Sequence, residues 1–254
     1  MGLPDQFKLN GKTALVTGGA AGIGAAIAIA LAQAGADVIC HGNTRHPQHT
    51  CETIQQFGGK AVPVQADLAR PGAAERFFEQ ASRLAPIDIL VNNAGMIRRA
   101  KAIEYSDEDW ASVLQVNLNS VWKLSQCAGR AFIEKELPGK IINIASLLAF
   151  QGGITVPAYA ASKGAVAQLT KALANEWAAH GINVNAIAPG YINTDNTAAL
   201  RRDEIRNRQI LERIPAGHWG DPADVGGAAV FLASAASDYV HGHVLVVDGG
   251  WMGR

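Results

Sequence analysis

Three side chains in the middle of the chain have the types and spacing needed to transfer a proton at a carbonyl oxygen. Tyr159 and Lys163 lie four residues apart, so on a helix they share one face. Ser146 follows an apolar run that predicts a buried strand, near the edge where open α/β sheets bind ligands. An ammonium group favours a neighbouring phenolate, and a hydroxyl can donate to an oxygen that gains negative charge. The trio predicts acid–base chemistry, although the Tyr–Lys spacing alone is more often a buried tyrosine and an exposed lysine.

A glycine-rich turn near the beginning of the chain predicts a pyrophosphate site. Residues 12–17 form a short apolar strand, and a helix rich in Ala and Ile follows and closes at Gly35. Gly18, Gly22 and Gly24 lie between the two elements, where backbone N–H groups and a helix N-terminus can bind an anion. Their spacing differs from the common G-x-G-x-x-G form, so the prediction depends on this placement between strand and helix.

The end of the second predicted strand, residues 37–41, should lie beside the adenosine ribose of a bound dinucleotide. An acidic residue there would bind the ribose 2′-hydroxyl and repel a 2′-phosphate. Residues 42–45 contain no acid; they include Asn43 and Arg45, and Arg45 is equally a candidate for a 2′-phosphate and a solvated loop arginine. Asp67, which follows the third predicted strand, is a candidate for the adenine amino group or for a helix cap.

A further apolar strand, residues 87–91, ends in the small polar sequence Asn-Asn-Ala-Gly at 92–95. Small residues at the carboxyl edge of a sheet let the backbone approach a ligand closely. Arg98 and Arg99 come directly after this turn. They are candidates for holding a substrate carboxylate in bidentate fashion, and the alternative is a solvated pair.

The alternation of strands and helices predicts an α/β fold, a single doubly wound Rossmann-like domain over residues 1–254. A long helix is predicted over 106–136, opened by a capping box, and Asn117 lies inside it as either a buried functional kink or an exposed turn. Residues 191–215 are polar and rich in arginine, which predicts a mobile lid over the site.

Composition excludes several function classes. Twenty-two basic residues balance twenty-two acidic ones, so there is no electrostatic case for nucleic acid, and no apolar run reaches the length of a membrane span. The first residues lack the apolar stretch of a signal peptide, so no secretory leader is expected, and three cysteines without metal-like spacing predict reduced thiols. His41, His46 and His49 form only a loose cluster, so no metal is expected. We therefore expect a cytoplasmic protein without a membrane or nucleic-acid partner.

In combination, these motifs resemble the short-chain dehydrogenase/reductase family, over nearly the whole chain. The matching residues are Thr17-Gly18-x3-Gly22-Ile23-Gly24, Asn92-Asn93-Ala94-Gly95, Asn117, Ser146 thirteen residues before Tyr159, Lys163, and Pro189-Gly190. The resemblance implies a mostly parallel sheet of seven strands, a nicotinamide cofactor and a homotetramer.

The same resemblance implies a role for each catalytic position. Tyr159 would be the acid/base, Lys163 would hold the nicotinamide ribose and lower the tyrosine pKa, and Ser146 would orient the carbonyl. Asn117 would position a proton-relay water, and Thr194 would contact the carboxamide. The predicted cofactor site comprises Gly18, Gly22, Ile23, Gly24, Asn43, Arg45, Asp67, Leu68, Asn93, Ala94, Gly95, Tyr159, Lys163, Pro189, Gly190, Ile192 and Thr194.

Segments such as NNAGMIRR and SDYVHGHVLVVDGGW are similar to a narrower group, the 2-dehydro-3-deoxy-D-gluconate 5-dehydrogenases of uronate breakdown, also described as 2-deoxy-D-gluconate 3-dehydrogenases. This similarity implies a small polyhydroxylated keto acid as substrate. Arg98 and Arg99 would then bind its carboxylate, and Gln151 and Tyr191 are candidates for its hydroxyls. Group resemblance favours NAD(H), with NADP(H) as the alternative.

Three other functions stay open at this point. Two are enzymatic: reduction of a keto-aldehyde derived from an unsaturated uronate, and reduction of an unrelated carbonyl, since one fold hosts many substrates. The third is a non-catalytic dinucleotide-binding protein. Such a protein has no need of Ser146, Tyr159 and Lys163 together, which favours an enzyme.

Overall fold

A computed structural model describes residues 4–254, which fold around one sheet of seven parallel strands. The strands are β1 (Thr13–Val16), β2 (Asp37–Gly42), β3 (Ala61–Gln65), β4 (Ile89–Asn92), β5 (Gly139–Ile144), β6 (Ile182–Pro189) and β7 (Val244–Val247). Their order across the sheet is β3-β2-β1-β4-β5-β6-β7. The order reverses between β1 and β4, which opens a crevice at the carboxyl ends of these strands. The predicted doubly wound, seven-stranded parallel fold is confirmed.

Helices cover both faces of the sheet. They are α1 (Gly22–Gln33), α2 (Gln48–Gln56), α3 (Ala73–Leu84), α4 (Asp107–Leu114), α5 (Ser120–Glu134), α6 (Pro157–Trp177), α7 (Ala198–Arg202), α8 (Glu204–Leu211) and α9 (Gly226–Ala233). Successive residues of β1 point to opposite faces, so Val16 packs with α1 and α9 while Leu15 packs with α3, α5 and α6. A strand buried on both faces must be apolar throughout, as β1 is.

The helix predicted over 106–136 is interrupted. It begins where predicted, because the Ser106 side chain accepts a hydrogen bond from the Asp109 backbone N–H at 3.1 Å. Between α4 and α5, however, residues Gln115–Asn119 form a π turn. Asn117, at the centre of that turn, is fully buried, so the buried kink is confirmed and the exposed turn is wrong.

The segment predicted as a lid contains a 3-10 turn, Asp195–Thr197, followed by α7 and α8. It rests on a small apolar cluster formed by Leu147, Ile210, Ile214 and Trp251. Its mobility remains a prediction. Across residues 4–254, no helix is long and apolar enough to cross a membrane. The same residues include no group of three His, Cys, Asp or Glu side chains arranged to hold a metal ion.

Candidate active site

Ser146, Tyr159 and Lys163 converge at the carboxyl end of β5. The β5 strand ends at Ile144, and Ser146 caps the short 3-10 turn that follows by accepting from the Leu148 backbone N–H at 3.2 Å. Tyr159 and Lys163 lie in the first two turns of α6, on one face. The Lys163 Nζ donates to the Ile144 carbonyl at 2.6 Å and lies 5.6 Å from the centroid of the Tyr159 ring.

Burial dominates the acid–base properties of this trio. Lys163 is 5 % exposed, and desolvation lowers the pKa of its ammonium to about 8. Desolvation raises the pKa of Tyr159, while a hydrogen bond with Ser146 and the positive charge of Arg99 lower it. The family resemblance implies that Lys163 lowers this pKa. That effect of Lys163 stays a prediction; in this arrangement its Nζ donates to the Ile144 carbonyl.

Asn117 connects three parts of the site. Its Oδ1 accepts from the Met96 backbone N–H at 2.8 Å, and its Nδ2 donates to the Met96 carbonyl at 3.0 Å. The same Nδ2 donates to the Ser162 Oγ at 3.2 Å, beside Lys163 on α6. These bonds join the π turn to the loop after β4 and to α6. The role of Asn117 at a proton-relay water stays a prediction.

A cavity of about 230 Å³ lies in the crevice between β1 and β4. Ten of the predicted cofactor residues line it: Gly18, Gly22, Ile23, Gly24, Asn93, Ala94, Gly95, Tyr159, Lys163 and Thr194. Four lining residues were not predicted, namely Ala21, Ile144, Asp195 and Asn196. Each lies within two residues of a predicted one in the sequence, so the sequence motifs located the cavity but did not identify every residue that lines it.

The glycine turn fits the phosphates of a dinucleotide. Gly18 and Gly22 have positive φ angles, 65° and 54°, which side chains rarely tolerate. A Cβ on Gly24 would lie 2.2 Å from the Gly18 carbonyl oxygen and 2.3 Å from the Asn93 Nδ2, so only glycine packs there. The N-cap of α1 is Ala21, which has no side-chain acceptor, so the first N–H groups of the helix remain available to an anion.

The predicted residues of the adenosine end surround the carboxyl ends of β2 and β3. The Asn43 Nδ2 donates to the Asp67 Oδ1 at 3.3 Å, and the Arg45 guanidinium pairs with Asp195 at 3.1 Å. Asp67 does not cap α3, because that helix begins several residues later; its carboxylate accepts from its own turn instead. Leu68 is buried.

A second cavity, of about 770 Å³, opens beside Ser146 and Tyr159 on the other side of the site. The predicted residues Arg99, Gln151, Pro189, Gly190 and Tyr191 line it, whereas Ile192 is buried in the apolar core cluster that includes Val225. Arg98 lies outside it, since its Nε is 3.4 Å from the Asp109 carboxylate and it is absent from the cavity wall. The predicted arginine pair is therefore divided: Arg99 lines the cavity, and the role of Arg98 at a substrate carboxylate stays a prediction.

Two arginines that were not predicted line the same cavity. Arg206 lies on α8 and Arg213 follows that helix, where its guanidinium is 4.1 Å above the Trp251 ring. The Trp251 indole N–H donates to the Gln151 Oε1 at 3.3 Å, which holds the ring against the cavity wall. None of the lining residues is acidic in the part of the chain that the structure describes.

Comparisons with known proteins agree with this geometry. A family model described as enoyl-(acyl carrier protein) reductase matches residues 18–252. A 2-dehydro-3-deoxy-D-gluconate 5-dehydrogenase from Bacillus subtilis is 57 % identical over 99 % of both chains. A candidate 2-deoxy-D-gluconate 3-dehydrogenase from Agrobacterium tumefaciens, solved with bound NADP, is 55 % identical, with a TM-score of 0.94 over 99 % of this chain and 100 % of that one.

A third relative, from Beutenbergia cavernae, is described as a candidate NAD(P)-dependent gluconate 5-dehydrogenase with NADP bound at low occupancy. It is 51 % identical, with a TM-score of 0.95 over 98 % of this chain and 100 % of that one. Both solved relatives thus hold a nicotinamide dinucleotide in its phosphorylated form. They give no support to the expected preference for NAD(H).

Proposed function

The chain belongs to the short-chain dehydrogenase/reductase family, and on this premise we propose that it oxidises or reduces a deoxy-keto sugar acid, as a 2-dehydro-3-deoxy-D-gluconate 5-dehydrogenase does. The observation that carries the substrate class is the larger cavity, where Arg99, Arg206 and Arg213 face the space beside Tyr159 and no described lining residue is acidic. Such a cavity favours an anionic substrate. The identity to the Bacillus subtilis relative supports the same class.

A nicotinamide dinucleotide held in the smaller cavity, by residues such as Gly18, Gly22 and Thr194, would supply or accept a hydride. Tyr159 transfers the matching proton: its hydroxyl donates a proton to the carbonyl oxygen in reduction and becomes a phenolate, and in oxidation that phenolate accepts the proton of the substrate hydroxyl. Because burial raises the pKa of Tyr159, the phenol is protonated at neutral pH and ready to donate. Ser146 donates a hydrogen bond to the substrate oxygen as charge develops, and Arg99 adds a positive charge nearby.

For the cofactor, we infer that the enzyme accepts NADP(H), with Arg45 as the partner of the 2′-phosphate. No acid occupies the end of β2, and Arg45 is in reach of the adenosine end, where it now pairs with Asp195. If Arg45 leaves Asp195 to bind a phosphate, the loss of binding free energy is small, because an exposed ion pair contributes at most about 1 kcal/mol. The NADP found in the solved relatives supports this choice.

The deciding experiment is oxidation of NADPH and of NADH followed at 340 nm, with keto-deoxy uronates, an unsaturated-uronate keto-aldehyde and neutral ketones. We expect turnover of the acids, a higher kcat/KM with NADPH, and loss of about 10³-fold in kcat for Tyr159→Phe, since general acid–base catalysis contributes roughly 10²–10⁴-fold. Cofactor affinity should be retained in that variant. Turnover of neutral ketones alone would overturn the sugar-acid proposal, and unchanged turnover by Tyr159→Phe would overturn the assignment of the acid.

We also propose that the protein is a cytoplasmic homotetramer. The support is a set of large apolar side chains exposed on α4 and α5, including Trp110 and Trp122, which a second subunit would cover. Light scattering after size-exclusion chromatography tests the assembly. A mass of one chain, 26.7 kDa, would contradict it.

A further inference from the structure

His41 makes two hydrogen bonds that together determine its protonation state. It lies on β2 and is 2 % exposed. The Gly18 backbone N–H donates to its Nδ1 at 3.1 Å, and its Nε2 lies 3.0 Å from the Ala66 carbonyl. A backbone N–H can only donate and a carbonyl can only accept, so Nδ1 must be bare and Nε2 must carry the proton. The imidazole is therefore neutral in this arrangement.

These bonds join two parts of the dinucleotide site. Gly18 is the first glycine of the phosphate turn and lines the smaller cavity, and Ala66 immediately precedes Asp67 at the predicted adenine end. We propose that His41 is a positioning residue for the dinucleotide, that its neutral ring holds Gly18 in register with the turn after β3, and that protonation of His41 weakens dinucleotide binding. The inference rests on the proposed nicotinamide cofactor.

Gly18 is held from both sides. Its carbonyl accepts from the Asn93 Nδ2 at 3.1 Å, while its N–H is engaged by His41. The next N–H, of Gly19, donates to the His41 carbonyl at 2.7 Å. The imidazole itself packs on the Phe77 ring, with 4.6 Å between centroids. Because the ring is enclosed, a protonated Nδ1 cannot turn to water and would face the Gly18 N–H, donor against donor.

Within residues 4–254, no charged neighbour compensates for protonation of His41. The glycine turn, β1 and β3 contain no ionisable side chain. The turn after β3 brings Asp67, which is paired with Arg70 at 3.2 Å, and α3 brings Glu75, paired with Lys123 at 3.4 Å, and Arg76. Burial lowers the pKa of His41 from its usual 6.5, and the bond to Ala66 only partly opposes it. Since the neutral form is favoured, affinity should be constant at neutral pH and fall in acid.

The test is the dissociation constant for NAD⁺ and NADP⁺, measured calorimetrically with the full chain between pH 5 and pH 8. NAD⁺ is needed because a phosphate monoester such as the 2′-phosphate itself titrates near about pH 6. We expect the wild type to bind NAD⁺ at least fivefold more weakly at pH 5 than at pH 7.5. His41→Asn, whose amide oxygen can accept from Gly18 but cannot be protonated in this range, should bind with less than a twofold change.

His41→Val, which removes the acceptor, should bind about tenfold more weakly at every pH, since an unsatisfied buried N–H is costly. If this variant unfolds, the pH dependence of NAD⁺ affinity in the wild type and in His41→Asn still tests the inference. A wild-type affinity that does not change with pH, or an equal acid loss in His41→Asn, would overturn the inference. Failure of the wild type to bind either dinucleotide at pH 7.5 would instead overturn the proposed function.

Discussion

At the scale of single residues, burial of Lys163 lowers its pKa, and this makes the free energy of unfolding depend on pH, which can be measured without any substrate. Its pKa falls from 10.5 to about 8, so between these values the unfolded chain binds a proton that the native state does not. The free energy of unfolding therefore rises with pH across that window.

We predict that this rise disappears when Lys163 is replaced. From pH 7 to pH 9.5, the free energy of unfolding of the wild type should increase by about 2 kcal/mol relative to Lys163→Met, taking about 1.4 kcal/mol per pH unit above pH 8. Urea titrations at the two pH values measure it. Lys171→Met, which removes an exposed lysine from the same helix, is the matched control and should follow the wild type. Parallel behaviour of both variants would contradict the prediction.

The divided arginine pair gives a second residue-scale prediction. Arg99 lines the larger cavity and lowers the pKa of Tyr159, whereas its neighbour Arg98 pairs with Asp109. Arg99→Gln should therefore lower kcat/KM for a keto acid by roughly 10- to 100-fold, the cost of losing a charged hydrogen bond of about 1.5–3 kcal/mol. Arg98→Gln should change it less than twofold. If the two substitutions lowered kcat/KM equally in steady-state assays, the prediction that Arg99 alone of the pair contacts the substrate would be contradicted.

At the scale of elements, the π turn between α4 and α5 is an irregularity on which the site depends. Asn117 supplies three side-chain hydrogen bonds there, all to groups buried with it or at the loop after β4. Asn117→Ala should lower the free energy of unfolding by about 2–4 kcal/mol, because the Met96 backbone loses both of its partners. Asn119→Ala, in the same turn but exposed, should cost less than about 0.5 kcal/mol. Chemical denaturation of the two variants checks the difference.

Elements also explain which parts of the site can be predicted from the sequence. The glycine turn and the Ser146, Tyr159 and Lys163 trio are predictable because each depends on local spacing after an apolar strand. Arg206 and Arg213 are not, because the segment that contains them has no apolar period to place its side chains over the cavity. They reach the cavity only because Ile210 and Ile214 pack the segment onto Leu147 and Trp251.

The role of His41 could not be predicted either, because it depends on how β1 and β2 pair in the sheet. In sequence it belongs to a loose cluster with His46 and His49, among seven histidines in the chain. Its bond to Gly18 arises because β1 and β2 pair in parallel with Val16 opposite Cys40, which brings the residues that follow this pair close together. Register between strands is a long-range property, and residues 23 positions apart become neighbours only through it. Arg98 and Arg99 are adjacent and equivalent in sequence, and only the folded chain shows that Arg98 pairs with Asp109 while Arg99 lines the larger cavity.

At the scale of the whole molecule, the smaller cavity joins segments from most of the chain. Its wall includes the turn after β1, the turn after β4, the end of β5, the start of α6 and the segment after β6. A ligand that contacts all of them binds the folded state alone, so it must stabilise the entire fold. At a hundred times the dissociation constant, this stabilisation is about 2.7 kcal/mol, and for a chain of this size it corresponds to a rise of roughly 5–10 °C in Tm.

A substitution at Gly24 should remove the stabilisation of the fold by a bound dinucleotide. A Cβ there would lie 2.2 Å from the Gly18 carbonyl oxygen, so Gly24→Ala must displace the phosphate turn. A Cβ on Gly227, which lies on α9, would meet no atom within 4 Å, and Gly227→Ala should slightly stabilise the chain. In thermal unfolding with and without NADP⁺, the wild type and Gly227→Ala should show the full rise in Tm, and Gly24→Ala less than a third of it. A full rise in Gly24→Ala would place the dinucleotide elsewhere, because no ligand seated on this turn can avoid the displacement.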